Sequence, residues 1–238
     1  MKKKIGYIFL MILPFLLGCS MYWNSPRTVE AELKPTIINS EVVEKEVNYE
    51  DVINNLRVQY GNNDIVAVLQ LPDMFEEPVV QTSNNDYYLN HTVTHEERSV
   101  GATFLDYRSN LTNSKKLLIY SHSDEWDQLP FTQLKKYNKK DFMNTHLYIY
   151  LIDGNGKHTY EVFSSYIETN DFDYVNVENF GGLTYQEHLE KLRKKSFVQR
   201  KIELTEETRV LLLQTCSFDT RVQSKQKYQI LVAKEIEG

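Results

Sequence analysis

Apolar positions along the chain fall into short runs separated by polar stretches. Ile65–Leu71, Ala102–Tyr107, Lys116–Tyr120 and Leu147–Ile152 are runs of strand length, each bounded by polar or turn residues. Asp153-Gly154-Asn155-Gly156 is a strong turn signal, and His158–Ile167 reads as the strand returning from it. Arg209–Thr215 and Gln229–Lys234 complete the strands. Helical spacing appears in Tyr49–Val58, through Val52, Ile53 and Leu56, and in Thr184–Lys195, where Tyr185, Leu189 and Leu192 share a face. Gln128–Lys136 is a further helical stretch. No internal repeat or low-complexity block interrupts this order. Many short strands and few helices predict a mainly β fold with flanking helices, closed or nearly closed into a barrel.

The N-terminus breaks the pattern. Lys2, Lys3 and Lys4 precede the uncharged run Ile5–Leu17, and weakly polar residues continue to Trp23. Leu16-Leu17-Gly18-Cys19 resembles a lipobox, in which Cys19 would be lipidated after cleavage. In the alternative, residues 1–23 stay uncut as a signal anchor, with Tyr22 and Trp23 at the membrane interface. The run is short beside the roughly 17–25 residues of a full span. The uncut anchor is the preferred reading, and both readings put the rest of the chain outside the membrane. Residues 24–48 are polar, rich in Glu, Ser and Thr, and read as a stalk. Residues 49–238 then form a single domain of ordinary size.

Composition narrows the function. A net charge of −6 argues against nucleic acid as a partner, since phosphate backbones are met by clustered Lys and Arg. Sixteen Tyr and eleven Phe against nine Gly favour strands. The two cysteines, Cys19 and Cys216, lie in the apolar leader and near the C-terminus, so no disulfide framework is expected. A lone thiol in an exported domain is there for reactivity or for burial.

Cys216 ends the run Val210–Thr215, immediately before the polar stretch Ser217–Lys227. A cysteine beside an apolar strand is most often a small buried hydrophobe. Its place at a strand end next to a loop also suits a nucleophile that substrate must reach. His122 has a similar setting, after Leu117-Leu118-Ile119-Tyr120 and before Ser123-Asp124-Glu125. Taken alone it is an ordinary loop histidine. Together the two make chemical sense, because an imidazole favours the thiolate and then protonates the leaving amine. Sequence spacing does not show that they meet. His91 and His95 flank Thr92-Val93-Thr94, and His146, His158 and His188 have no companions at ligand spacing. With no zinc pattern, phosphate-binding glycine loop or Gly-x-Ser-x-Gly elbow, neither a metal nor a cofactor is expected.

Five segments in order along roughly Tyr49–Lys234 resemble class B sortases. They are Pro78–Gln81 with Asn85–His91, Gly101–Arg108, Leu118-Ile119-Tyr120-Ser121-His122, Asp171-Phe172-Asp173-Tyr174 and Leu213-Gln214-Thr215-Cys216. The resemblance implies a closed eight-stranded barrel with N-terminal helices and a helix before the nucleophile strand, which Thr184–Lys195 can supply. It implies a membrane-anchored transpeptidase at a Gram-positive-type surface, needing no cofactor. Such an enzyme cuts a sorting signal on secreted surface proteins or pilins and transfers it to an amine of the cell wall or of a pilin lysine. Cys216 would attack the carbonyl after a Thr and form a thioester; His122 would protonate the leaving group and deprotonate the incoming amine. Asn85, Leu89, Tyr120, Tyr174, Val175, Gln214 and Thr215 fall at groove-lining positions. The family's uncleaved anchor is a reason to prefer that reading of residues 1–23.

The chain departs from the family at three places. Ser121 and Ser123 replace the Gly and Asn that usually flank the catalytic histidine, and Leu212 replaces the Thr that usually precedes the Leu-x-Thr-Cys motif. Aligning Leu231-Val232-Ala233-Lys234 with the family's ending puts Tyr228 where relatives carry a last-strand arginine. Arg221, five residues past the cysteine, is then the candidate for that donor. The readings to be separated are a cell-wall anchoring enzyme, a pilin polymerase, and a surface binding module with a dead site. A papain-like protease is disfavoured, because there the Cys precedes the His.

Overall fold

A computed structural model describes residues 47–236. The expected anchor, Cys19 and nearly all of the stalk lie outside the described residues. Among the described residues no helix is long and apolar enough to cross a membrane.

Helix α1 (Tyr49–Tyr60) opens the domain. The Asn48 side chain accepts from Asp51 N at its start, Glu50 and Asp51 suit the positive end, and Gly61 at φ 62° ends it in a left-handed turn. The strands are β1 (Ile65–Leu71), β2 (Phe75–Val80), β3 (Thr103–Leu105), β4 (Lys116–Tyr120), β5 (Tyr148–Asp153), β6 (Gly156–Glu168), β7 (Val210–Cys216) and β8 (Tyr228–Ile236). They close in the order β1-β2-β3-β4-β7-β8-β6-β5, with β5 returning to β1. The expected eight-stranded barrel is therefore present.

Strand β2 is absent from the sequence reading. Its residues Phe75-Glu76-Glu77-Pro78-Val79-Val80 carry two glutamates and a proline, which resemble a loop. The strand tolerates Pro78 because its second side pairs with β3 only at Val79 and Val80, so the missing N–H breaks no ladder there. The expected helix Gln128–Lys136 is a 3-10 helix over Pro130–Asn138, followed by a short helix α2 (Lys140–Thr145). At the Asp153–Gly156 turn the Asp153 carboxylate accepts from the amides of Asn155 and Gly156 and fixes the β5–β6 hairpin.

Core residues divide by face. Leu69, Leu117, Ile119, Leu151, Leu211, Leu213 and Leu231 point into the barrel, and Phe131, Leu134 and Tyr137 of the 3-10 helix join them. On the outer face Leu118, Val210, Leu212, Ile230 and Val232 pack under helix α3 (Tyr185–Lys194), which buries Tyr185, Leu189 and Leu192. A capping box between Thr184 and Glu187 starts α3 at the expected residue. Alternation along β7 thus gives adjacent residues to different compartments. Burial of apolar area on both faces is the main stabilising term.

Candidate active site

The site forms where β4 and β7 end together. These strands run parallel, in register from Lys116 with Val210 to Tyr120 with Gln214. Past that ladder, hydrogen bonds from the residues on either side of His122 hold this part of the chain against Thr215 and Cys216. Side-chain bonds lock the two ends together: Thr215 Oγ1 donates to Ser121 O at 2.7 Å, and Ser123 Oγ donates to Cys216 O at 2.6 Å. Ser121 N also donates to Gln214 O at 3.2 Å. Of the departures from the family pattern, Ser123 thus joins the two ends through its hydroxyl, whereas Ser121 does so through its backbone and its own hydroxyl accepts from Thr103.

His122 Nε2 lies 2.8 Å from Leu89 O. A carbonyl only accepts, so Nε2 carries the hydrogen in the neutral ring and Nδ1 offers its lone pair. Room for the ring depends on Gly101, at φ 58°: a Cβ there would stand 2.4 Å from Tyr88 O and 3.0 Å from His122 Cδ2. Leu89 is exposed and serves the site through its backbone as well as its groove position.

Cys216 is exposed at the strand end. Protein mass on its inner side nevertheless pushes the thiol above its ordinary range, so the resting side chain is a thiol, not a thiolate. Directly across the β7–β8 ladder from Cys216 stands Tyr228, and paired residues project to the same face. Tyr228 packs edge-on against Phe172 at 5.9 Å. Tyr174 is buried beside them; burial pushes its phenol up, and the nearby Tyr228 and Cys216 add to the rise.

One wall of the site is a buried polar network. Burial alone would raise the Asp106 carboxyl, but hydrogen bonds from Arg108, Tyr120 and Asn85 outweigh it and hold it low. Arg108 grips Asp106 with Nε at 2.8 Å and Nη2 at 2.7 Å, and Nη2 also reaches Val175 O at 3.0 Å. Tyr120 Oη donates to Asp106 at 2.8 Å, and Asn85 bridges Asp106 and the amide of Tyr107. The side chains of Asn85 and Tyr120 and the carbonyl of Val175 are engaged in this network. Lys116, buried on β4, donates to Asn176 O and contacts His188 Nε2 at 2.9 Å. Burial brings the Lys116 ammonium down to about 7 and the His188 imidazole down to about 3. The segment carrying Tyr174 and Val175 is thus tied to β4 by Lys116 and to the β3–β4 connection by Arg108. Asp106, Arg108 and Lys116 had no assigned role in the sequence; the only signal was that Asp106 and Arg108 fall inside a family segment.

Gln214 lies on the same face as Cys216 two residues before it, and its Oε1 is buried without a partner. Thr215 points the other way, toward the end of the barrel, where it is spent on the Ser121 clamp. That end holds a cavity of about 550 Å³ lined by Cys216, Arg221 and the 3-10 helix. The Arg221 side chain is 77% exposed; its Nε and Nη2 grip Asp219 and leave Nη1 without a bond among the described residues. No group of three or more metal-ligating side chains occurs among the described residues.

Comparison with known proteins agrees with this geometry. The sortase domain family model matches residues 69–236. Sortase B of Listeria monocytogenes is 29% identical over 203 residues, spanning 84% of this chain and 82% of the relative. The crystal structure of Clostridium perfringens sortase B superposes with a TM-score of 0.69 at 29% identity, covering 77% of this chain and 99% of that one. A Staphylococcus aureus sortase B–substrate complex superposes with a TM-score of 0.67 at 27% identity, covering 79% of this chain and 93% of that one.

Proposed function

The chain belongs to the sortase family, in its class B branch, and from that premise we propose that it is an active transpeptidase working through a thioester on Cys216. The observation that carries the proposal is the parallel β4–β7 pairing, which ends at an exposed Cys216 with the residues on either side of His122 bonded to Thr215 and Cys216. A scaffold kept only for binding has no need of Gly101, of the histidine held by Leu89 O, or of the Thr215 and Ser123 hydroxyl bonds at the strand ends.

The sorting peptide lies along the outer face past Tyr120, Gln214, Tyr174 and Leu89. The orphaned Gln214 Oε1 accepts a peptide N–H there. His122 takes the thiol proton, and the sulfur attacks the carbonyl after a Thr. The proton then passes to the leaving nitrogen, the C–N bond breaks, and the acyl group stays on sulfur as a thioester. An amine of the cell wall or of a pilin lysine attacks the thioester, giving up its proton through His122, and the new amide leaves with the sorted protein. Arg221 Nη1 faces the charge that develops on the carbonyl oxygen, with Asp219 fixing the guanidinium plane. The N-terminal segment tethers the chain to the membrane with its domain outside the cell.

Incubating the full chain with a peptide library that fixes a Thr should add an acyl mass to Cys216, and a competing amine should then release a new amide. Cys216→Ala should show neither. If Cys216→Ala and the native chain process the library equally, the enzyme reading fails. Polymer ladders from pilin, with no adduct on cell-wall peptide, would assign the acceptor to pilin.

A further inference from the structure

Cys216 stands between two compartments with different chemistry. The outer groove holds Tyr120, Gln214, Tyr174 and Tyr228, so uncharged polar and aromatic groups meet the sorting peptide. The cavity at the barrel end is charged. Lys135, Lys136, Lys139 and Arg221 line it against two carboxylates, Glu125 and Asp219. Asp127 neutralises Lys135, and Asp219 neutralises Arg221. Lys136 rests on the neutral Gln133 side chain and over the Phe142 ring, and the Lys139 side chain has no hydrogen bond or ion pair among the described residues. Two uncompensated ammonium groups thus face a single remaining carboxylate, Glu125, in a cavity that includes the nucleophile.

An acceptor amine must shed its proton before it attacks a thioester. Nearby cations favour its neutral form, which is the reactive one. The same cations repel an acceptor that brings only an ammonium group. An acceptor with its own anion escapes that repulsion.

We propose that this cavity receives the acceptor, and that the acceptor is a peptide amine with a carboxylate close by, held by Lys136 and Lys139. The inference rests on the transpeptidase reading above. In the step itself the acceptor nitrogen bonds to the thioester carbonyl, the C–S bond breaks, and the amine proton passes through His122 to the departing sulfur. Thioester and amine become amide and thiol, with no further reactant.

The test loads Cys216 of the full chain from a peptide α-thioester ending in Thr, with intact mass confirming the acyl-enzyme. Gly-Asp-amide and Gly-Asn-amide, which differ by one carboxylate, then compete for the acyl group. The Gly-Asp product should exceed the Gly-Asn product by about tenfold at low salt, the scale of two exposed ion pairs. The ratio should fall toward one in a Lys136→Gln, Lys139→Gln double variant, and below one with Glu at both positions. Because it is read within each variant, a general loss of activity leaves it unchanged. An acyl-enzyme that uses both acceptors equally, or a ratio unmoved by the Lys changes, overturns this inference alone. A chain that takes no acyl group onto Cys216 overturns the transpeptidase reading and this inference with it.

Discussion

The two walls that flank Cys216 use charge in opposite ways. On the groove side Asp106 and Lys116 are fully buried, Arg108 covers Asp106 with 34% of its own side chain exposed, and Arg108 and Lys116 bond across chain segments more than fifty residues apart, to Val175 O and Asn176 O. On the cavity side Lys135, Lys136 and Arg221 bond to partners two to eight residues away and stand in solvent. A buried charge that loses its partner is costly, so the groove wall is held to one geometry. An exposed charge is screened and gains little from any one partner, so the cavity wall is free to select among ligands. The proposed sorting peptide would therefore meet a shaped surface, and the proposed acceptor an electrostatic one.

Arg221 is where that comparison is most easily broken. It belongs to the exposed wall, yet its free Nη1 is the proposed donor to the oxyanion. Arg221→Gln should slow acyl-enzyme formation by ~10²–10³, measured by single-turnover mass spectrometry, whereas Tyr228→Phe should cost under about tenfold. A loss confined to Tyr228→Phe would move the donor role to the last strand.

A large effect on stability is expected at the groove wall. Arg108→Ala leaves the Asp106 carboxylate buried without its cation, at a cost of about 2–3 kcal/mol once the partial exposure of Arg108 is discounted. Lys135→Ala, which breaks the Lys135–Asp127 pair in solvent, should cost under ~1 kcal/mol. Denaturant midpoints of the two variants compare the walls directly; equal shifts would remove the distinction.

A third charge cluster, half-buried, sharpens the comparison by lying elsewhere on the barrel. His158 on β6 bonds to Asp153 of β5 and Glu235 of β8, and those hydrogen bonds raise its imidazole to about 9. A raised value in the folded state means the stabilisation is complete below the unfolded value near 6.5 and is lost as pH climbs through about 9. Stability should therefore fall by about 2 kcal/mol across that window, and His158→Gln should flatten the slope. Acyl-enzyme formation, measured where both forms stay folded, should barely change.

How much of this was legible in the sequence differs by element. Tyr185, Leu189 and Leu192 and the Asp153–Gly156 turn could be read directly, because helical period, capping and turn chemistry are local. Strand β2 could not, since Pro78 is permitted only by the narrow β3 pairing beside it. Thr215 shows the same limit: its place beside Cys216 suggested the groove, but strand alternation turns it to the barrel end.

The sequence by itself determined the nucleophile candidate, the histidine candidate and the family, because residue identity and order carry those. Only the tertiary structure decided that the chain around His122 is held against the chain at Cys216, since a parallel pairing joins segments 94 residues apart. It also decided which face each residue of β7 serves, and which cations stand buried and which stand free. Those properties follow from what surrounds a side chain, and the surroundings are assembled from distant parts of the chain.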